Sequence, residues 1–326
     1  MNGTRYLLRK VSEALLTLAF VLVFNFFLFR IMPSDPIRIL TRQRGARLTA
    51  EAQAELAREL GLDKSLPGQF VDYLGDLVRG NLGNSFIYRG ERVMSVFLRF
   101  LWPTVLLVGT ATVLMIVIGL YLGIRGGWRR GSGMDRASMG LSMTFYSTPD
   151  FWLAMMLLIV FSTLLGWFPS GGYASPNSDL TGMAHVVDVL NHMVLPVITL
   201  TVGYVGEYYL VMRSSLLDVM GEDYLTAVRA KGIREERVLW RHAARNALLP
   251  SISLIALSFG FVIGGAITVE LVFSYPGLGL LTVHALDAQD YWLLQALFLF
   301  FTLAVLISNL IADVLYGYLD PRVREA

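Results

Sequence analysis

Residues 222–232 read EDYLTAVRAKG, and the chain is apolar on both sides of them: 194–217 before and 248–271 after are dominated by Leu, Val, Ile and Phe. The segment is charged and helix-forming, and Gly232 closes it. A second charged run, REERVLWRHAARNALLP (234–250), leads into the next apolar stretch. A short polar helix between two long apolar runs is the pattern of a loop joining two membrane crossings. The fold therefore turns on how many such runs the chain has, and on which side of the bilayer this loop lies.

Of the 326 residues, 55% are hydrophobic and only 16% charged, with a mean hydropathy of +0.57. Soluble domains carry about 25% charged residues, so this balance indicates an all-α polytopic membrane protein. A net charge of +2 gives no electrostatic footprint for nucleic acid. The chain has no cysteine, which excludes disulfides, thiolate catalysis and Cys-based metal sites.

Six runs are candidate spans: 11–32, 101–124, 137–168, 194–217, 248–271 and 290–316. The first follows Arg5, Arg9 and Lys10 and is longer than a signal-peptide core, so it reads as an uncleaved span. The third is over-long and contains Pro149, which implies either a tilted, kinked helix or an interfacial turn followed by the true span. Pro103, Pro196 and Pro250 are expected in the first turns of their helices.

Lys and Arg in the short loops set the orientation. They gather before span one, after span two (Arg125, Arg129, Arg130, Arg136), after span four (Arg229 to Arg245) and in the tail. The loops 169–193 and 272–289 have neither residue. Both termini and the loop 218–247 are therefore expected in the cytoplasm, and the long loop 33–100 outside. Within that outer loop, 49–63 is expected to form a short amphipathic helix closed by Gly61, and 80–86 a turn, making a small cap on a single transmembrane domain (1–326).

Catalytic chemistry is hard to assemble. None of Lys10, Lys64 and Lys231 sits in a phosphate-binding glycine loop, and neither HExxH nor GxSxG occurs. His185 and His192, with Asp179 and Asp188, form a polar cluster readable as a metal site or as ordinary loop polarity. Charges inside spans are expensive. Glu207 reads either as a cavity-lining group of a translocation pathway or as half of a structural ion pair. Asn25 is a pathway residue or interhelical glue, and Glu270 is placed at a solvated outer end. Asn309, Asp313, Tyr316 and Asp320 form a stripe on one helical face, expected to anchor the last helix. Gly119/Gly123 and Gly260/Gly264 have the spacing of close helix contacts.

The opening segment admits two physical readings. Asp223 starts its helix favourably for the dipole, Tyr224, Ala227, Val228 and Lys231 share a face, and Gly232 is a natural stop. Such a helix suits docking into a partner's groove, or lying on the lipid surface.

The stretch from Asp223 to Gly232, followed by RHAARNALLP, resembles the cytoplasmic loop of ABC-importer permeases, within the dipeptide/oligopeptide/nickel branch. The resemblance extends through MPSDP (32–36), LGLDKSLPGQFVDYL (60–74), GNLGNS (80–85), STPDF (147–151), MRSSLLDVM (212–220), VELVFSYPGLG (269–279) and DPRVR (320–324). The chain departs from the general pattern by having Thr226-Ala227-Val228 where Glu-Ala-Ala is usual, and Asn81 where Asp is usual. The resemblance implies six helices of the type I importer fold in a bacterial or archaeal inner membrane. It also implies a second permease, two cytosolic ATPases that carry ATP and magnesium, and an extracytoplasmic peptide-binding protein. Asp223, Tyr224, Ala227, Ala230, Lys231 and Gly232 are the implied coupling residues. The substrate it implies is a peptide, or else nickel or another small solute. A carrier acting alone and a membrane enzyme are the competing classes. The first would need more intramembrane charge than Glu207, and the second a catalytic group.

Overall fold

The structure is a computed structural model that describes residues 3–31, 63–88, 90–176, 180–264 and 266–319, together with 49, 51, 55 and 58. Among the described residues every regular element is a helix, apart from one isolated bridge between Asn84 and Arg92. In chain order these are α1 (Gly3–Ile31), α2 (Leu66–Val78), α3 (Val93–Trp128), α4 (Gly133–Tyr146) and α5 (Asp150–Leu157), the last continuing as π-helical turns over Leu158–Leu164. Then come α6 (Met183–Met220), α7 (Asp223–Ala230), α8 (Glu235–Val238), a π-helical stretch Leu239–Ala243 and α9 (Ala244–Ala247). The chain ends with α10 (Leu249–Gly264), α11 (Ile267–Val272), α12 (Leu278–Asp287) and α13 (Tyr291–Leu319).

α1, α3, α6 and α13 each contain a stretch long and apolar enough to cross a bilayer. The pair α4–α5, bent by 103° at its break, is a fifth candidate crossing. Pro149 is the N-cap of α5 and cannot extend the preceding helix, so the over-long third run is broken there. α10 is apolar but has only 16 residues, about 24 Å at 1.5 Å per residue.

Contacts fix the relative directions. Added Cβ atoms at Gly119 and Gly123 of α3 would meet Tyr208 and Met212 of α6, and Gly127 lies against Leu216, so the two helices run parallel. The bent pair supplies the return between them. Tyr208 bonds Ser258, and Ser251 contacts Met212, so α10 runs antiparallel to α6. Phe97, in the second turn of α3, stacks on Phe300 with centroids 4.0 Å apart, and Phe86 in the turn before α3 meets Trp292 at the start of α13 at 5.1 Å; α3 and α13 thus start at the same end of the bundle and run in the same sense. α1 is antiparallel to α13: Lys10 pairs with Asp313 at 3.1 Å, and Asn25 Nδ2 donates to the Gln295 carbonyl at 2.9 Å. The chain thus alternates direction from α1 to α13 with α10 counted as a crossing. The start of α1, the end of α13 and the 222–232 loop share one end of the bundle.

Several expectations are corrected. Pro103 and Pro196 lie inside α3 and α6 because both helices begin well before their apolar runs; Pro250 does fall at the start of α10. Span five, expected to reach residue 271, ends at Gly264, and α11 and α12 form a separate hairpin after it. Most of 49–63 lies outside the described residues, as do 32–36, Asp179 and 320–324. Glu51, Glu55 and Arg58 are helical, and between them and α3 the 33–100 segment carries α2, with Pro67 in its first turn. The turn after it uses Gly80 and Gly83 at φ +70° and +79°. Gly83 also lies where a Cβ would meet the Trp292 ring.

Candidate functional site

α7 is held to the bundle by one deeply buried residue. Leu225 has no exposed surface and joins Met212 and Leu216 of α6, Ile124 of α3, and Val238, Leu239, Ala243, Ala244 and Ala247 in one apolar cluster. Half-buried Tyr224, Val228 and Trp128 pack around it. The opposite side of α7 is open: Asp223, Thr226, Ala227, Ala230, Lys231 and Gly232 are all exposed. Gly232 has φ +72° with nothing within 4 Å of its would-be Cβ, so the chain conformation, not crowding, favours glycine there.

Of the six expected coupling residues, five lie on this open side. Tyr224 does not front it. Its hydroxyl accepts from Asn246 Nδ2 at 2.8 Å and donates to the His242 carbonyl at 3.2 Å, bracing α7 against the following run. That run, expected as one helix, is interrupted by π-helical turns at Leu239–Ala243. Two arginines bind the joint. Arg229 meets Glu235 at 3.3 Å and lies 5.4 Å from the Trp128 ring. Arg125 meets Glu236 at 3.0 Å and lies 5.8 and 5.5 Å from the Tyr121 and Trp240 rings.

The two intramembrane polar candidates behave differently. Asn25 is 3% exposed and bonds α13, which is the gluing role. Glu207 is half-buried in mid-α6, and no hydrogen bond or ion pair reaches its carboxylate among the described residues, so the ion-pair reading is not met within this chain. His185, Asp188 and His192 lie on α6 and not in a loop. Asp188 accepts the Ser175 N–H and hydroxyl, both at 2.7 Å, which fits a structural tie. Asp313 anchors α1 as expected of the stripe; the Tyr316 side chain and Asp320 lie outside the described residues.

Three buried carboxylates are structural in ways that composition does not suggest. Asp135 is 3% exposed and accepts from Arg213 Nε and Nη2, at 2.7 and 2.8 Å, and from the Tyr209 hydroxyl at 2.7 Å. Asp290 caps α13 and gathers the Ser85 hydroxyl and the Phe86 N–H at 2.6 and 2.7 Å. Glu270, expected to be solvated, is fully buried; it accepts Thr104 Oγ1 at 2.9 Å and the Leu280 N–H at 3.0 Å, fixing the start of α12.

Residues 115–325 match the family described as the binding-protein-dependent transport system inner membrane component, and 3–90 match the N-terminal membrane component of such systems. The chain belongs to this family of ABC-importer permeases. It is similar to a Brucella suis biovar 1 protein whose name puts it forward as a peptide permease, at 37% identity over 98% of this chain and 99% of the relative. It is also similar to the glutathione transport system permease protein GsiC of Salmonella choleraesuis, at 35% identity over 98% of each chain. Among solved structures, an inward-facing form of the MetNI methionine ABC transporter shares the fold, with TM-score 0.55 and 16% identity over 70% of this chain and 97% of that one. The permease is thus a multi-pass inner-membrane component, and its polar loop presents the exposed side of α7.

Proposed function

We propose that this permease is half of the transmembrane pathway of an ATP-driven importer for peptides, and that α7 is its coupling helix. The reading rests on one observation: a helix with a small-residue outer face is pinned by Leu225 onto the ends of α3 and α6. Its exposed alanines leave room for a protein groove. A lipid-lying helix would instead turn its apolar side chains outward, whereas Leu225 points into the bundle. The names of the Brucella and Salmonella relatives support a peptide as cargo. In this reading a second permease completes the pathway, with Glu207 lining it. Two ATPases bearing ATP and magnesium dock on the 218–247 loop from the cytosol. A peptide-binding protein delivers substrate near the outer segment 33–100.

Affinity purification of the tagged chain from its native membrane in mild detergent tests this. Recovery of a second permease with ATPases is the expected result. Gly232→Trp should release the ATPases or abolish substrate-stimulated hydrolysis, because tryptophan strains the left-handed stop and fills the open face. A stable homo-oligomer carrying no ATPase would overturn the reading in favour of a carrier acting alone. So would a Gly232→Trp complex with full stimulated activity.

A further inference from the structure

The covalent links on either side of α7 are poor levers. Gly221 precedes it and Gly232 follows it, both exposed and in turns. Displacement of α7 therefore reaches the membrane through packed side chains, which transmit strain because protein interiors compress little. Besides the run Val238–Ala247 that follows it, α7 makes those contacts to two long helices. One is α6, the chain's own preceding element, through Leu225. The other is α3, separated from α7 by about a hundred residues.

The α3 contact is the more elaborate. Trp128, the last residue of α3, lies under the Arg229 guanidinium of α7, and Arg229 also holds Glu235. One turn earlier, Arg125 lies against Trp240 and pairs with Glu236, whose carboxylate also accepts the Trp240 indole N–H at 3.0 Å. The end of α3 thus grips both arms of the turn that follows α7. From there α3 is a continuous helix, locked along α6 by Gly119, Gly123 and Gly127. Three turns in from its start at Val93, Thr104 bonds Glu270 and accepts the Leu278 N–H at 2.6 Å. From Trp128 to Thr104 the helix rises roughly 36 Å.

We propose that Trp128 and Arg229, flanked by Arg125 and Glu236, are positioning residues forming the joint through which α7 drives α3 as a rod toward the Glu270 hairpin at the opposite end of the permease. This rests on the reading of α7 as the coupling helix. None of the four needs to touch nucleotide or substrate; each acts by holding α3 to the moving loop. Removing either the ring or the cation loses the contact between them.

The test uses the whole importer, purified with its partner permease and ATPases and reconstituted in lipid with binding protein and a dipeptide. Both Trp128→Ala and Arg229→Gln should keep the ATPases on co-purification; Arg229→Gln should also keep thermal stability near wild type, whereas Trp128→Ala gives up part of the packing around Leu225 and should melt lower. Peptide taken up per ATP hydrolysed should fall tenfold or more. Trp128→Phe and Arg229→Lys, which keep a ring and a cation, should restore much of that ratio. An unchanged ratio in Trp128→Ala and Arg229→Gln would overturn the joint while leaving the coupling reading intact. Loss of the ATPases from both variants would also overturn it, assigning these residues to assembly. Absence of ATPases from the wild-type preparation would instead remove the coupling reading on which the joint depends.

Discussion

Asp135 and Glu207 are both carboxylates at helix positions in a membrane protein, and their surroundings separate them. Asp135 is encircled by Arg213, Tyr209 and the Gly131 N–H, the last at 2.9 Å, so each oxygen has a donor. Glu207 has none among the described residues. It lies roughly 20 Å along α6 from the Met220 end at 1.5 Å per residue, too far for easy contact with water beyond that end. A group left without a partner in such a place lowers stability, and such groups persist where function needs them. Glu207→Gln is accordingly expected to raise the stability of the isolated chain in detergent by about 1 kcal/mol while reducing transport by the assembled importer. Thermal unfolding and uptake assays read the two effects. A destabilised Glu207→Gln chain would return the residue to the structural ion-pair reading. Glu207 was legible because a charge in an apolar run is conspicuous. Asp135 and Glu270 were not, since Arg213 lies 78 residues away from the first and Thr104 lies 166 away from the second.

At the scale of elements, four long helices were legible as apolar runs, but not their ends. α3 and α6 extend to 36 and 38 residues because amphipathic turns outside the apolar stretch continue the helix, which a hydropathy window does not register. The same extension moved Pro103 and Pro196 into helix interiors. The α11–α12 hairpin was absorbed into a span and a loop. Its helices, of 6 and 10 residues, are too short to show a period, and the Glu270 contacts that define it are tertiary. The glycine spacing on α3 was visible, yet only the packing shows which helix it serves. A Cβ at Gly123 would come within 2.7 Å of Met212 Cβ and 2.8 Å of the Tyr209 carbonyl, whereas one at Gly109 meets nothing within 4 Å. Gly123→Leu should therefore prise α3 from α6 and destabilise the chain by about 3 kcal/mol or more. Gly109→Ala, in the same helix, should be neutral or stabilising by up to about 1 kcal/mol. Equal melting temperatures for the two variants in detergent would contradict the parallel α3–α6 contact.

In the whole molecule, the topology depends on whether direction alternates through every crossing, α10 included. Six apolar runs imply six spans by length, and the contacts give the same alternation by a separate route, through parallel and antiparallel packing. The weak member is α10, about 24 Å long against a hydrocarbon core of about 30 Å. It can cross if the bilayer thins locally, or if the polar ends of the α9 and α11 segments are covered by protein, at a modest cost per ångström of mismatch. The absence of cysteine makes the question directly measurable, because single cysteines report without background. Leu180, Thr226 and Asp287 are exposed, at the two ends of α6 and beyond the far end of α10. In intact cells with a permeable outer membrane, an impermeant maleimide should label Leu180→Cys and Asp287→Cys, and should reach Thr226→Cys only after the inner membrane is opened. Reversal of all three would invert the orientation drawn from the Lys and Arg distribution and place α7 away from any cytosolic ATPase. Labelling of Asp287→Cys only together with Thr226→Cys would show that α10 does not cross, and would leave α13 running against the direction its contact with α3 requires.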